Sequence, residues 1–106
     1  MFGRFFDTAA VDAFADWVVD EVKRTLPPAF DPGLKNVSGK VERLDRRIAE
    51  RTTSFVQTVS KLNLYQKARL ASRVQEGMSA SGYPQPFIKT FSMDIVKRVM
   101  SASRGR

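Results

Sequence analysis

The chain has 106 residues, enough for one domain, and its 42% apolar and 27% charged residues set it apart from disordered segments of low hydropathy and high charge. It contains neither cysteine nor histidine, which excludes disulfides, thiolate zinc sites, thiol nucleophiles and imidazole bases. The formal net charge is +7, unevenly placed: up to Leu34 three basic residues stand against six acidic ones, and from Lys35 onward fifteen against five.

Such a split fits a half that binds polyanions, and equally an acidic first helix lying beside basic ones. No apolar run reaches the roughly 18 to 20 residues that span a bilayer. The stretch from Met1 to Asp7 lacks the long apolar segment of a secretory signal, so the expected location is the cytoplasm.

The first seven residues hold Phe2, Phe5 and Phe6 and read as an aromatic N-terminal segment, residues 1–6, ahead of a first helix over 8–26. Asp7 is the expected N-cap, with Phe6 and Val11 as a hydrophobic staple. Val11, Phe14, Val18 and Val22 recur at spacings of three and four, with Asp12, Asp16 and Asp20 on the other side. The whole apolar arc, from Trp17 round to Val19, is broader than one contact requires. It suits a helix wedged between two neighbours, or a Trp17 side left for a partner. Pro27-Pro28 ends the helix, because proline restricts the residue before it and donates no helical hydrogen bond.

Residues 27–37 read as a connection with Pro32-Gly33 inside it, and Ser38 as the N-cap of a second helix over 39–62. Its predicted core stripe is Val41, Leu44, Ile48, Phe55, Val59 and Leu62. The seven-residue repeat of Val41, Ile48, Phe55 and Leu62 permits coiled-coil pairing, which Arg51 and Thr58 on the other seam weaken. Lys40, Arg43, Arg47 and Arg51 form a basic ridge on the same helix. The ridge suits either phosphates or ion pairs with Glu50 and the acids of the first helix.

Asn63 with Gln66 three residues later resembles a capping box and predicts a corner, followed by a third helix over 64–81. Leu64, Ala68, Ala71, Val74 and Met78 are its expected inward face, and Gly82 its stop. Tyr83-Pro84-Gln85-Pro86 is a stiff connection, with Pro86 at the first position of a fourth helix over 86–102. Phe87, Ile88, Phe91, Ile95 and Val99 form its predicted core face, with Met93, Val96 and Met100 as a second apolar strip. The tail 102–106 should fray.

These elements predict an all-α, compact four-helix bundle, regular or irregular, in a single helical domain spanning 1–106. Chemistry is sparse. Asp12 and Asp16, or Asp16 and Asp20, have a spacing that two metal ligands share, but no further inward acid joins them. There is no glycine-rich phosphate loop, zinc spacing or nucleophile elbow. No enzyme, cofactor, metal or small-molecule substrate is therefore expected.

The leading expectation is an interaction or adaptor protein that self-associates, as a homodimer for instance, or docks a protein partner through Phe5, Phe6, Trp17, Met93 and Met100. The alternative is nonspecific nucleic-acid binding along Lys40, Arg43, Arg47 and Arg51, although aromatic residues do not interleave with these cations. Membrane-surface binding is disfavoured by the acidic first helix, which anionic lipid repels.

Overall fold

A computed structural model describes residues 8–28, 37–59 and 62–104, and among them it shows four helices and no strand. They are α1 (Ala9–Thr25), α2 (Val37–Thr58), α3 (Leu64–Ala80) and α4 (Gln85–Arg104). The architecture is the expected all-α four-helix bundle, and the ends of its helices carry the differences from expectation.

Thr8, not Asp7, occupies the N-cap of α1, and its side chain makes no capping hydrogen bond. Asp7 and Phe6 lie outside the described residues. α2 begins two residues earlier than predicted, so Ser38 is inside the helix and not its cap. It also stops four residues early, at Thr58, where β-branched Thr58 and Val59 are poor helix formers. Leu62 is still buried, but from the connection that follows.

α3 starts as its sequence indicates. The Gln66 backbone N–H donates to Asn63 Oδ1 at 2.8 Å, and the Asn63 N–H donates to Gln66 Oε1 at 3.0 Å, closing a capping box. At the other end, Tyr83 N–H donates to the Met78 carbonyl and Gly82 N–H to that of Ser79, a Schellman motif. Gly82 sits at φ +95°, where a side chain would be strained, and buried Tyr83 and Met78 supply the motif's apolar contact. α4 starts one residue early, which puts Pro86 at its second position. The first four N–H groups of a helix have no partner within it, so proline is tolerated there too. The helix runs on to Arg104, so residues 102–104 belong to α4 and not to a frayed tail.

The helices pack as a ring in the order α1, α3, α4, α2. Among the described residues, α1 and α4 face each other across one diagonal and α2 and α3 across the other, without close approach. α1 and α3 run parallel: Asp12 meets Arg69, Asp16 meets Arg73, and Tyr83, just past α3, donates to the Leu26 carbonyl. α2 runs antiparallel to α1, since Phe14 stacks on Phe55, Arg51 lies over Trp17 and Arg47 reaches back to Glu21. α4 returns along α3, with Gln75 Nε2 donating to Ser92 Oγ at 3.0 Å, and Arg98 ties α4 to Asp45 of α2.

The core follows from this ring. Val11, Ala15, Val18 and Val22 of α1 are wholly buried, because α1 lies between α2 and α3. The breadth of its apolar arc is thereby accounted for within the bundle. On α2 the inner line is Leu44, Ile48, Thr52, Phe55 and Val56, while Val41 is 44% exposed. Buried Thr52 satisfies its hydroxyl by donating to the Ile48 carbonyl at 2.6 Å.

The expected inward face of α3 is corrected most. Gln66, Leu70, Val74 and Met78 are buried, whereas Leu64 is 82% exposed and Ala68 is also exposed. On α4, Ile88, Ile95 and Val99 are buried as expected. Phe91 is half-buried, Phe87 is largely on the surface, and Ser92 occupies a core position.

Candidate functional site

Two surface features of the described residues concern function, and they lie on different parts of the ring. The first is on α4. Met93, Val96 and Met100 are spaced at three and four, so they share one face, and Met93 and Met100 are exposed at 49% and 36%. Val96 is half-buried and leans on the core. The antiparallel register set by Gln75 and Ser92 brings exposed Ala68 and half-buried Ala71 of α3 level with the Val96–Met100 turn. Lys89 and Lys97 are exposed beside the strip, whereas Asp94 is turned toward Arg98, on the side of α4 that meets α2. The strip is thus apolar with positive flanks.

The second feature is a cleft of about 210 Å³ lined by Arg24, Thr25, Lys40, Arg43 and Arg47. Two of its arginines share Glu21, buried to 3% exposure, which accepts from Arg24 on its own helix and from Arg47 on α2, each at 3.0 Å. A carboxylate buried this deeply needs such partners, since removal from water penalises its charged form.

Each residue singled out from the sequence has a definite place or lies outside the described residues. Phe5 and Phe6 are outside. Trp17 is half-buried against the core, and its ring carries the Arg51 guanidinium 5.2 Å from its centroid, a cation–π contact. Because α1 and α4 are diagonal, Trp17 does not join Met93 and Met100 in one patch. Of the ridge, Lys40, Arg43 and Arg47 share the cleft, and Arg51 is drawn away to Trp17.

Sequence reasoning missed Arg24 as a cleft residue, because nothing in the sequence pairs the end of α1 with the start of α2. It also assigned Leu64 to the core. The polar name of Gln66 hid the true inner line, in which this side chain is buried because its carboxamide caps its own helix.

Asp12 and Asp16 of α1 are structural partners. Arg69 donates to Asp12 from Nε at 2.9 Å and from Nη2 at 3.2 Å, and Arg73 holds Asp16 in the same two-pronged way at 2.9 and 3.0 Å. The Arg69 hydrogen bond holds the Asp12 carboxyl below its usual value, and the charges of Arg69 and Arg73 act in the same direction. Among the described residues no group of three or more acidic side chains is gathered as a metal site would need. No helix among them is long and apolar enough to cross a membrane.

Comparison with known protein families, with characterised proteins and with solved structures gives no match to this chain.

Proposed function

We propose that this protein is a non-enzymatic helical docking module, which takes an amphipathic helix of a partner protein, flanked by carboxylates, on the outer face of α4. The observation that carries this reading is the exposed Met93–Met100 strip with lysines on its flanks. Methionine is unbranched and polarizable, so it adapts to the side chains laid against it, and an amphipathic helix seated in an apolar groove is a recurrent mode of recognition. The flanking charge selects the occupant. A second copy of this chain would bring Lys89 and Lys97 against the same lysines, whereas a helix with glutamates beside its apolar stripe would pair with them.

Nonspecific binding of nucleic acid along the second-helix ridge is the weaker reading. Arg47 already holds Glu21 and Arg51 already stacks on Trp17, so the ridge is left with Lys40 and Arg43.

The test is fluorescence anisotropy with two labelled helical peptides that share one leucine stripe, flanked by glutamate in one and by lysine in the other. The glutamate peptide should bind the native chain and lose that binding with Met93→Gln and Met100→Gln together, while the lysine peptide should not bind. Equal binding of the two peptides, no binding of either, or indifference to the two substitutions contradicts the proposal.

A further inference from the structure

We infer that the cleft between the last turn of α1 and the first turns of α2 binds a compact, multiply charged oxyanion: a phosphate or diphosphate group. Four cationic side chains, Arg24, Lys40, Arg43 and Arg47, converge there from two helices. Among these, Arg24 and Arg47 share the buried carboxylate of Glu21. Lys40 and Arg43 have no ion-pair partner among the described residues, so the cleft keeps a surplus of positive charge over Glu21.

Like charges held this close repel one another, and an anion seated between them removes that repulsion while accepting several charge-assisted hydrogen bonds. Thr25 also lines the cleft, and its residue type carries a hydroxyl that can donate to an oxyanion. The helix ends roughly cancel: the negative end of α1 and the positive end of α2 both lie nearby, which leaves the side chains to decide the sign.

Size and lining then select the ligand. A volume of about 210 Å³ falls short of the range of about 300 to 1,000 Å³ typical of pockets for larger organic ligands. No aromatic ring lines the cleft, so a nucleobase would find nothing on which to stack. The arrangement suits a compact oxyanion carrying several charges, such as free diphosphate, better than the singly charged phosphates of a nucleic-acid backbone. The site lies away from the α4 strip and does not depend on the docking reading.

Titration of the full chain with inorganic diphosphate at constant ionic strength, followed by amide NMR, tests the inference. Saturating shifts are expected at Arg24, Thr25, Lys40 and Arg43 with one diphosphate bound per chain. Lys40→Ala with Arg43→Ala should weaken binding about tenfold or more. Neither side chain forms an ion pair among the described residues, so the helical circular dichroism should be retained, and the single Arg43→Gln variant should show a smaller loss in the same direction. Arg46→Ala, exposed on α2 but outside the cleft, should bind as the native chain does. A parallel titration with single-stranded oligonucleotide at matched phosphate concentration separates the two sources, and diphosphate should bind more tightly. Shifts that never saturate, a double variant that binds like the native chain, an Arg46→Ala variant weakened as much as the double one, or a preference for oligonucleotide overturns the inference.

Discussion

Asp12 and Arg69 show how much a single pair contributes at a helix seam. The guanidinium meets the carboxylate through two nitrogens, and Asp12 keeps 23% of its side-chain surface, so the pair is neither freely solvated nor fully buried. Replacing Asp12 with alanine should lower the unfolding free energy by about 1 kcal/mol at neutral pH, the upper end for a partly exposed ion pair. Because the folded-state pKa is lowered from 3.8, this contribution is fully present above that value and drains away as pH falls through the depressed one. Urea unfolding of the native and Asp12→Ala chains should therefore differ at neutral pH and converge below pH 3.8. A difference that persists unchanged into acid would mean that the carboxylate is not what stabilises the seam. The sequence made these acids visible at four-residue steps, but only the parallel packing of α1 on α3 shows that Asp12 and Asp16 face arginines and not water.

Between elements, the approach of α1 to α3 depends on a glycine. A Cβ built at Gly77 would lie 2.9 and 3.2 Å from the two methyls of Val19, and a short β-branched side chain in a packed core has little room to give. Alanine at this position gains about 1 kcal/mol of helix propensity. The overpacking it forces is worth about 1 to 3 kcal/mol in the other direction, so Gly77→Ala should come out destabilising. A lower thermal midpoint is the expected readout, and a higher one would show that α1 and α3 stand further apart. Nothing in the sequence marks Gly77, since a glycine inside a helical pattern reads only as a weak spot. The same limit explains the rotated inner face of α3. Periodicity finds a helix well, as it did for Val11, Phe14, Val18 and Val22. It fails on orientation where a capping residue such as Gln66 is buried and an apolar one such as Leu64 is left outside. The caps themselves were legible, because the Asn63 to Gln66 spacing and Gly82 act through local backbone geometry that does not depend on tertiary packing.

For the molecule as a whole, the ring order separates three kinds of surface. α1, the most acidic element, lies between α2 and α3, and Asp12, Asp16, Glu21 and Trp17 are met by arginines of those neighbours. Part of the charge asymmetry along the sequence is thus offset by ion pairs between α1 and its neighbours. Facing outward, beside single exposed apolar residues such as Leu64, are the basic cleft at one end of the α1–α2 pair and the apolar strip on α4. The strip was legible as spacing alone, Met93, Val96 and Met100, whereas the cleft required two helices to meet. This division between a packed interior and an open outer face of α4 underlies the proposed docking site. Methyl NMR of the methionine-labelled chain with a soluble paramagnetic relaxation agent tests it directly, because Met78 is fully buried while Met93 and Met100 are exposed. The Met93 and Met100 methyl signals should broaden strongly and that of Met78 should stay sharp. Protection of Met93 and Met100 equal to that of Met78 in the isolated protein would contradict the account.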